Sequence, residues 1–240
     1  MKRVIFAVLS AVILVCTSCL INKLNDAATT IDLKQDIQGK PVTITVSRGT
    51  HWVDRLGMGP FMVNVIPQMT FWIESPDGRF IETVYITGAA KKYDRNATRK
   101  KMGEQFYREC FPVWSRRMLA GGGQLPSETN AYPDAITSAT PESSYTVKTK
   151  VPPGKARFIL FAEINKSSDT NAAFTLSNNS WVGQPSVIYA AAIGDTGTYT
   201  LRPVGHSGYV TDYRGVVSNF TGIDTALHMV STITVTLSER

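Results

Sequence analysis

The chain has 240 residues, of which 43 % are hydrophobic and 18 % charged, with a formal net charge of +6. With an N-terminal export segment set aside, about 210 residues remain, enough for one domain with a sizeable core. The charge is modest and lacks a nucleic-acid module with interleaved aromatics, so nucleic-acid binding is not expected.

Lys2 and Arg3 precede an apolar run, VIFAVLSAVILV, over residues 4–15. That run is too short for an ordinary membrane span and matches the hydrophobic region of a signal peptide. CTSC follows, and Ser18-Cys19 resembles the lipobox of bacterial lipoproteins, in which the cysteine is acylated and becomes the new N-terminus. Cys16 departs from that pattern, which prefers an aliphatic residue three positions before the lipidated one. The expected organisation is a signal peptide over residues 1–18, a lipidated tether over 19–40 and a folded domain over 41–240. Leu20 is not the aspartate that retains some lipoproteins on the inner membrane. Outer-membrane placement facing the periplasm is therefore expected, with the cell surface as the alternative. Cys110 is then the one thiol of the folded part, so an internal disulfide cannot form. A lone thiol also cannot hold zinc or an iron–sulfur cluster without several other ligands.

From residue 41 the dominant period is two. Strands are predicted over 42–46, 61–65, 69–74, 80–87, 145–150, 157–164, 186–193, 198–202 and 232–237, with Val42, Ile44 and Val46 alternating with threonines. SPDG at 75–78, VPPG at 151–154 and GDTG at 194–197 supply turns. Nine short strands so punctuated predict an all-β antiparallel sandwich.

One segment departs from that period. Met102, Phe106 and Cys110 recur every four residues among Arg99, Lys100, Lys101, Glu104 and Arg108, which predicts an amphipathic helix over 96–110 that Pro112 stops. The helical insertion is placed at about 96–119. Cys110 falls on the apolar stripe, where a thiol behaves as a small hydrophobe and burial raises its pKa. The basic run KKYDRNATRKK reads as a solvated face that can lean on anionic headgroups.

Complete catalytic constellations are missing from the pattern. His51, His206 and His228 have no metal-ligand spacing, and GHSG at 205–208 is one residue short of a nucleophile elbow. His206 beside Ser207 reads as part of a hydrogen-bonded loop, with a ligand contact or a general base as the alternatives. Trp72 and Trp114 sit in apolar runs, whereas Trp181 follows an asparagine-rich loop and reads as a half-buried tryptophan closing the core, with an exposed aromatic as the alternative.

The stretches MTFWIESPDGRFIETVYIT, FPVWS, DAITSATP, GQPSVIYAA and GHSG, in that order, resemble a family of bacterial periplasmic proteins defined as a domain of unknown function. The resemblance spans residues 67–237. It implies an immunoglobulin- or fibronectin-like sandwich, in a family whose members are often encoded beside flavin-transferring lipoproteins and membrane-bound flavin or iron reductases. Trp114, Thr140, Gln184, Tyr189 and His206 match motif positions to which no role is assigned. The basic helical insertion and the lipobox depart from the family's pattern.

The function expected on these grounds is a lipid-anchored, non-catalytic envelope protein that contacts the membrane through Cys19 and binds a protein partner or small ligand, accessory to a redox or iron-uptake system. Trp114, Trp181, Gln184, Tyr189 and His206 are the candidate contacts, and no cofactor or metal is expected. A hydrolase using His206 and Ser207, a thiol enzyme using Cys110, and a purely structural surface lipoprotein are the alternatives.

Overall fold

A computed structural model describes residues 29–87, 103–126, 140–152, 157–212 and 215–239. Cys19, the signal segment, residues 19–28 of the expected tether and residues 88–102, with the basic run and the start of the expected helix, lie outside the described residues.

Eleven strands and two helices follow in chain order. They are β1 (Thr29–Asp32), β2 (Lys40–Arg48), β3 (Asp54–Met58), β4 (Phe61–Val65), β5 (Gln68–Glu74), β6 (Phe80–Ile86), α1 (Gly103–Cys110), α2 (Pro112–Ala120), β7 (Tyr145–Val151), β8 (Phe158–Asn165), β9 (Val187–Ile193), β10 (Gly197–His206) and β11 (Val230–Leu237). Nine strands form one sheet in the order β1-β7-β2-β11-β10-β9-β8-β5-β6, and β3 and β4 form a separate hairpin. The fold is all-β and sandwich-like, as the alternation predicts.

β10 joins the two layers. Residues 197–201 pair with β11 and residues 202–206 with β9, with a bulge between Pro203 and Gly205. A bulge bends its strand and increases the local twist, so one strand serves both halves of the curled sheet. The curl brings β6 and β7 together although they are distant in strand order: the Tyr85 and Tyr145 rings lie 5.9 Å apart. Lys34, just after β1, reaches Glu82 on β6 at 2.7 Å.

The core follows from the alternation. Val42, Ile44 and Val46 of β2 and Ile233, Val235 and Leu237 of β11 are buried, and they join Phe71, Leu160, Ala162 and Val187 from the opposite layer in one apolar cluster. Burying each such large side chain contributes about 1.5–3 kcal/mol. In β5 six of seven residues are buried, because its outer face is covered as well. Two-sided burial of this kind reads in sequence as a near-continuous apolar run.

Two strands and one helix boundary depart from expectation. β1 falls inside the segment read as tether and pairs parallel to β7, the one parallel pair in the sheet. β3 has no alternation, yet DRLGM pairs along its whole length with the apolar β4. The expected single helix is two. Phe111, at φ −131° and ψ 64°, breaks the backbone, and Pro112 then opens α2 instead of only closing α1. Proline is suited to a first helical turn, where its missing N–H has no intrahelical partner and its φ is already helical.

Candidate functional site

The helices α1 and α2 cover the outer face of the β5, β6, β8 and β9 layer. Tyr107, Cys110, Phe111, Trp114 and Met118 close over Trp72, Ile86 and Ile188 in a second apolar cluster. Trp72 stacks on Phe161 at 5.1 Å, and Tyr107 tilts against Trp114 at 5.9 Å. Such ring pairs contribute about 0.5–1.5 kcal/mol each beyond their buried area.

Beneath this cover lies a fully buried carboxylate. Glu163, on β8, accepts the backbone N–H of Val113 at 3.2 Å and of Trp114 at 2.7 Å, and the Ser186 hydroxyl also donates to it. It satisfies donors that the first turn of α2 leaves without intrahelical partners. Burial dominates its titration and raises the carboxyl to a pKa of about 7, opposed by the hydrogen bonds from Ser186, Trp114 and Val113. Asn165, two residues on, donates to the Cys110 carbonyl at 3.1 Å. Glu74 is likewise buried; it accepts Trp72 Nε1–H at 2.8 Å and faces the Arg117 guanidinium at 3.6 Å.

Above the helices an open groove of about 600 Å³ runs across the junction of α1 and α2. Exposed Arg108 and Arg116 flank it, while Pro112, Leu119, Ala120 and Val210 supply an apolar floor. The groove thus pairs positive charge with apolar area, a combination that suits an apolar segment carrying acidic neighbours.

The candidates from the sequence lie elsewhere. Trp114 is buried and donates from Nε1 to Thr83 Oγ1 at 3.0 Å. Trp181 is half-buried and stacks on Phe106 at 5.3 Å, and its buried Nε1–H has no hydrogen-bond partner among the described residues. Tyr189 belongs to the main core, where burial raises its phenol to a pKa of about 12. Gln184 is buried between loops. It accepts the Asp224 N–H at 3.0 Å and donates to Thr225, which in turn donates to Asp169 at 2.6 Å. Thr140 donates to the Pro67 carbonyl at 2.6 Å. None of these five residues, nor His206, lines the groove.

His206 is buried with its ring edge-on to Phe174, and its Nδ1 accepts the Gly208 N–H at 3.0 Å. Burial lowers the imidazole pKa below its ordinary value. The neighbouring Ser207 hydroxyl donates to the Gly208 carbonyl at 3.3 Å. Adjacent in sequence, the two side chains are thus engaged with the turn itself. Cys110 is 1 % exposed, and burial first, then the Glu163 and Glu109 charges, pushes its thiol well up from its ordinary value. The structure thereby puts this residue in the core, as its place on the apolar stripe implied. Among the described residues no group of three or more His, Cys, Asp or Glu is placed to hold a metal ion. No helix among them is long and apolar enough to cross a membrane.

Glu163 and Lys166 were not legible as special. Both sit in FILFAEIN and the residue after it, and their only signal is charge at the end of a long apolar strand. Lys166 is fully buried, donates to the His51 carbonyl at 2.7 Å and pairs with Asp54. The molecule is therefore defined as an all-β sandwich with a two-helix cover and a basic-rimmed groove on that cover. No family model, curated protein or solved structure matches the chain.

Proposed function

We propose that the chain is an exported protein, anchored in the cell envelope through a lipid on Cys19, that works by binding a protein partner and not by catalysis. The observation carrying the binding half is the groove at the α1–α2 junction, with Arg108 and Arg116 over an apolar floor. The partner it suits is an apolar segment flanked by acidic residues. Support for the non-catalytic half comes from how the reactive groups are used. Glu163 holds the start of α2, the Nδ1 of His206 accepts a turn amide, and Cys110 is packed in the core. The lipid anchor is supported by Lys2, Arg3, the apolar run and Ser18-Cys19. The motif resemblance points to a partner within an envelope redox or iron-uptake system.

Site-specific photocrosslinking in intact cells tests the binding half. A photoreactive residue at Leu119 should give one discrete adduct, lost when Arg108 and Arg116 are both changed to Glu. The same pattern of adducts from a probe at Thr200, exposed on the far strand β10, would overturn the groove as the binding surface.

A further inference from the structure

The β3–β4 hairpin stands apart from the sandwich. It forms its own two-stranded sheet, and Phe61 is 71 % and Met62 63 % exposed, beside Leu56 and Val63, which are also exposed. Phe61, Met62, Val63 and Asn64 are consecutive and all exposed, so both faces of β4 meet solvent. A two-stranded hairpin is at best marginal in water by itself, and a contiguous apolar projection normally has something to cover it.

Its base, by contrast, is fixed. Trp52 is buried and donates to the Pro141 carbonyl at 3.1 Å. Lys166 holds both Asp54 and the His51 carbonyl. The hairpin is thus held at its base and apolar at its tip. Arg55 is the one charged residue from 55 to 65, so the projection carries a cation and no acid.

Where the described chain begins bears on what faces this tip. Thr29 pairs with Tyr145, and Tyr145 pairs with Val46 near the end of β2. The described chain therefore begins, at Thr29, at the same end of the sheet from which β2 leads, through residues 49–53, into the hairpin. Residues 20–28 can span at most about 30 Å when fully extended. The five-residue strands of the hairpin rise about 17 Å. A chain anchored at Cys19 thus has the reach to set the hairpin tip on the bilayer.

Resting on the Cys19 anchoring proposed above, we infer that the β3–β4 hairpin is a second membrane contact, inserting Leu56, Phe61, Met62 and Val63 at the boundary between headgroups and acyl chains, with Arg55 at the headgroups. Apolar side chains at the headgroup–acyl boundary add buried apolar area to an attachment that the lipid chains provide. The contact holds the sandwich in one orientation above the bilayer.

The test uses the full chain, purified with its native N-terminus and reconstituted into phosphatidylcholine–phosphatidylglycerol vesicles, with Phe61→Trp as reporter. Trp52, Trp72 and Trp114 are buried and Trp181 is half-buried, so the chain without the reporter is measured alongside as the background. The added emission should shift to the blue on reconstitution, lose intensity with acyl-brominated lipids and be shielded from aqueous acrylamide. A reporter open to acrylamide and insensitive to brominated lipid overturns the inference. So does a blue shift that appears without vesicles and grows with protein concentration, which would assign the tip to a second copy of the chain. The intact mass of the same sample reads Cys19 acylation separately. A lipid-carrying chain with an unquenched reporter rejects the hairpin contact and leaves the anchor standing. A quenched reporter on a chain without lipid rejects the anchor and retains the insertion.

Discussion

Glu163 on the sheet accepts the backbone N–H of Trp114 on the helix above it, at 2.7 Å and with no solvent between them. This bond, with those from Val113 and Ser186, ties the helical cover to the sandwich through a single buried carboxylate. The pKa of about 7 sets the sign of its pH dependence. Between the ordinary carboxyl value of 4.5 and about 7, the folded chain keeps a proton that the unfolded chain has lost. Stability from this group is present at acid pH and is lost as pH rises through the folded value, by about 3 kcal/mol in all. Urea unfolding at pH 4 and pH 8 should show that fall in the native chain. In Glu163→Gln the difference should shrink by a similar amount; an unchanged difference would show that the carboxyl is not titrating in this window.

The partners of the second buried carboxylate, Glu74, include an indole and a cation. Trp72→Phe removes the Nε1–H bond to Glu74 and leaves that carboxylate with Arg117 at 3.6 Å. The expected cost is about 3 kcal/mol, the range for a hydrogen bond to a charged group plus lost ring volume. In a Glu74→Gln background the same change should cost less. Equal costs in the two backgrounds, from urea midpoints, would separate the indole from the carboxylate.

Gly183 occupies a left-handed conformation at φ +79°, and a Cβ there would lie 2.5 Å from the Asp169 carbonyl oxygen. Asp169 and Gly183 form an isolated bridge that holds the loop before β9. Gly183→Ala combines backbone strain with that clash and should destabilise by about 2 kcal/mol or more. For a domain of this size the midpoint temperature would drop by about 4–8 °C. A calorimetric midpoint within a degree of the native value would contradict the bridge geometry.

The thiol of Cys110 should be silent in the folded chain. It is 1 % exposed and its pKa is raised by burial, so little thiolate exists and little of it can be reached. Peptide mapping after native maleimide treatment should find Cys110 unmodified, and after urea fully modified. Rapid native labelling would restore a thiol-dependent activity to consideration.

How much of this was legible depends on whether a residue's surroundings are local. β2 could be read from Val42, Ile44 and Val46 because one face of that strand meets the core and the other meets water. β3 could not, since DRLGM has neither alternation nor β-branched residues and pairs because β4 follows across a tight turn. Pro112 was read as a stop, which it is for α1, but the same fixed φ also begins α2. Trp114, Tyr189, Gln184 and His206 stood out as polar or aromatic residues in suggestive motifs. The partners of Trp114, Gln184 and His206, which are Thr83, Asp224, Thr225 and Phe174, come from distant strands and loops, and no spacing rule encodes those meetings. The groove is of the same kind: Arg108 and Arg116 lie on two neighbouring helices, but Val210, about a hundred residues further on, completes the floor.

The most direct test of the account is the intact mass of the chain extracted from its own membranes. A mature chain starting at Cys19 and carrying glyceride and acyl mass on that residue is the predicted result. A chain that retains residues 1–18, or one cut elsewhere without lipid, would contradict the anchored envelope protein proposed above.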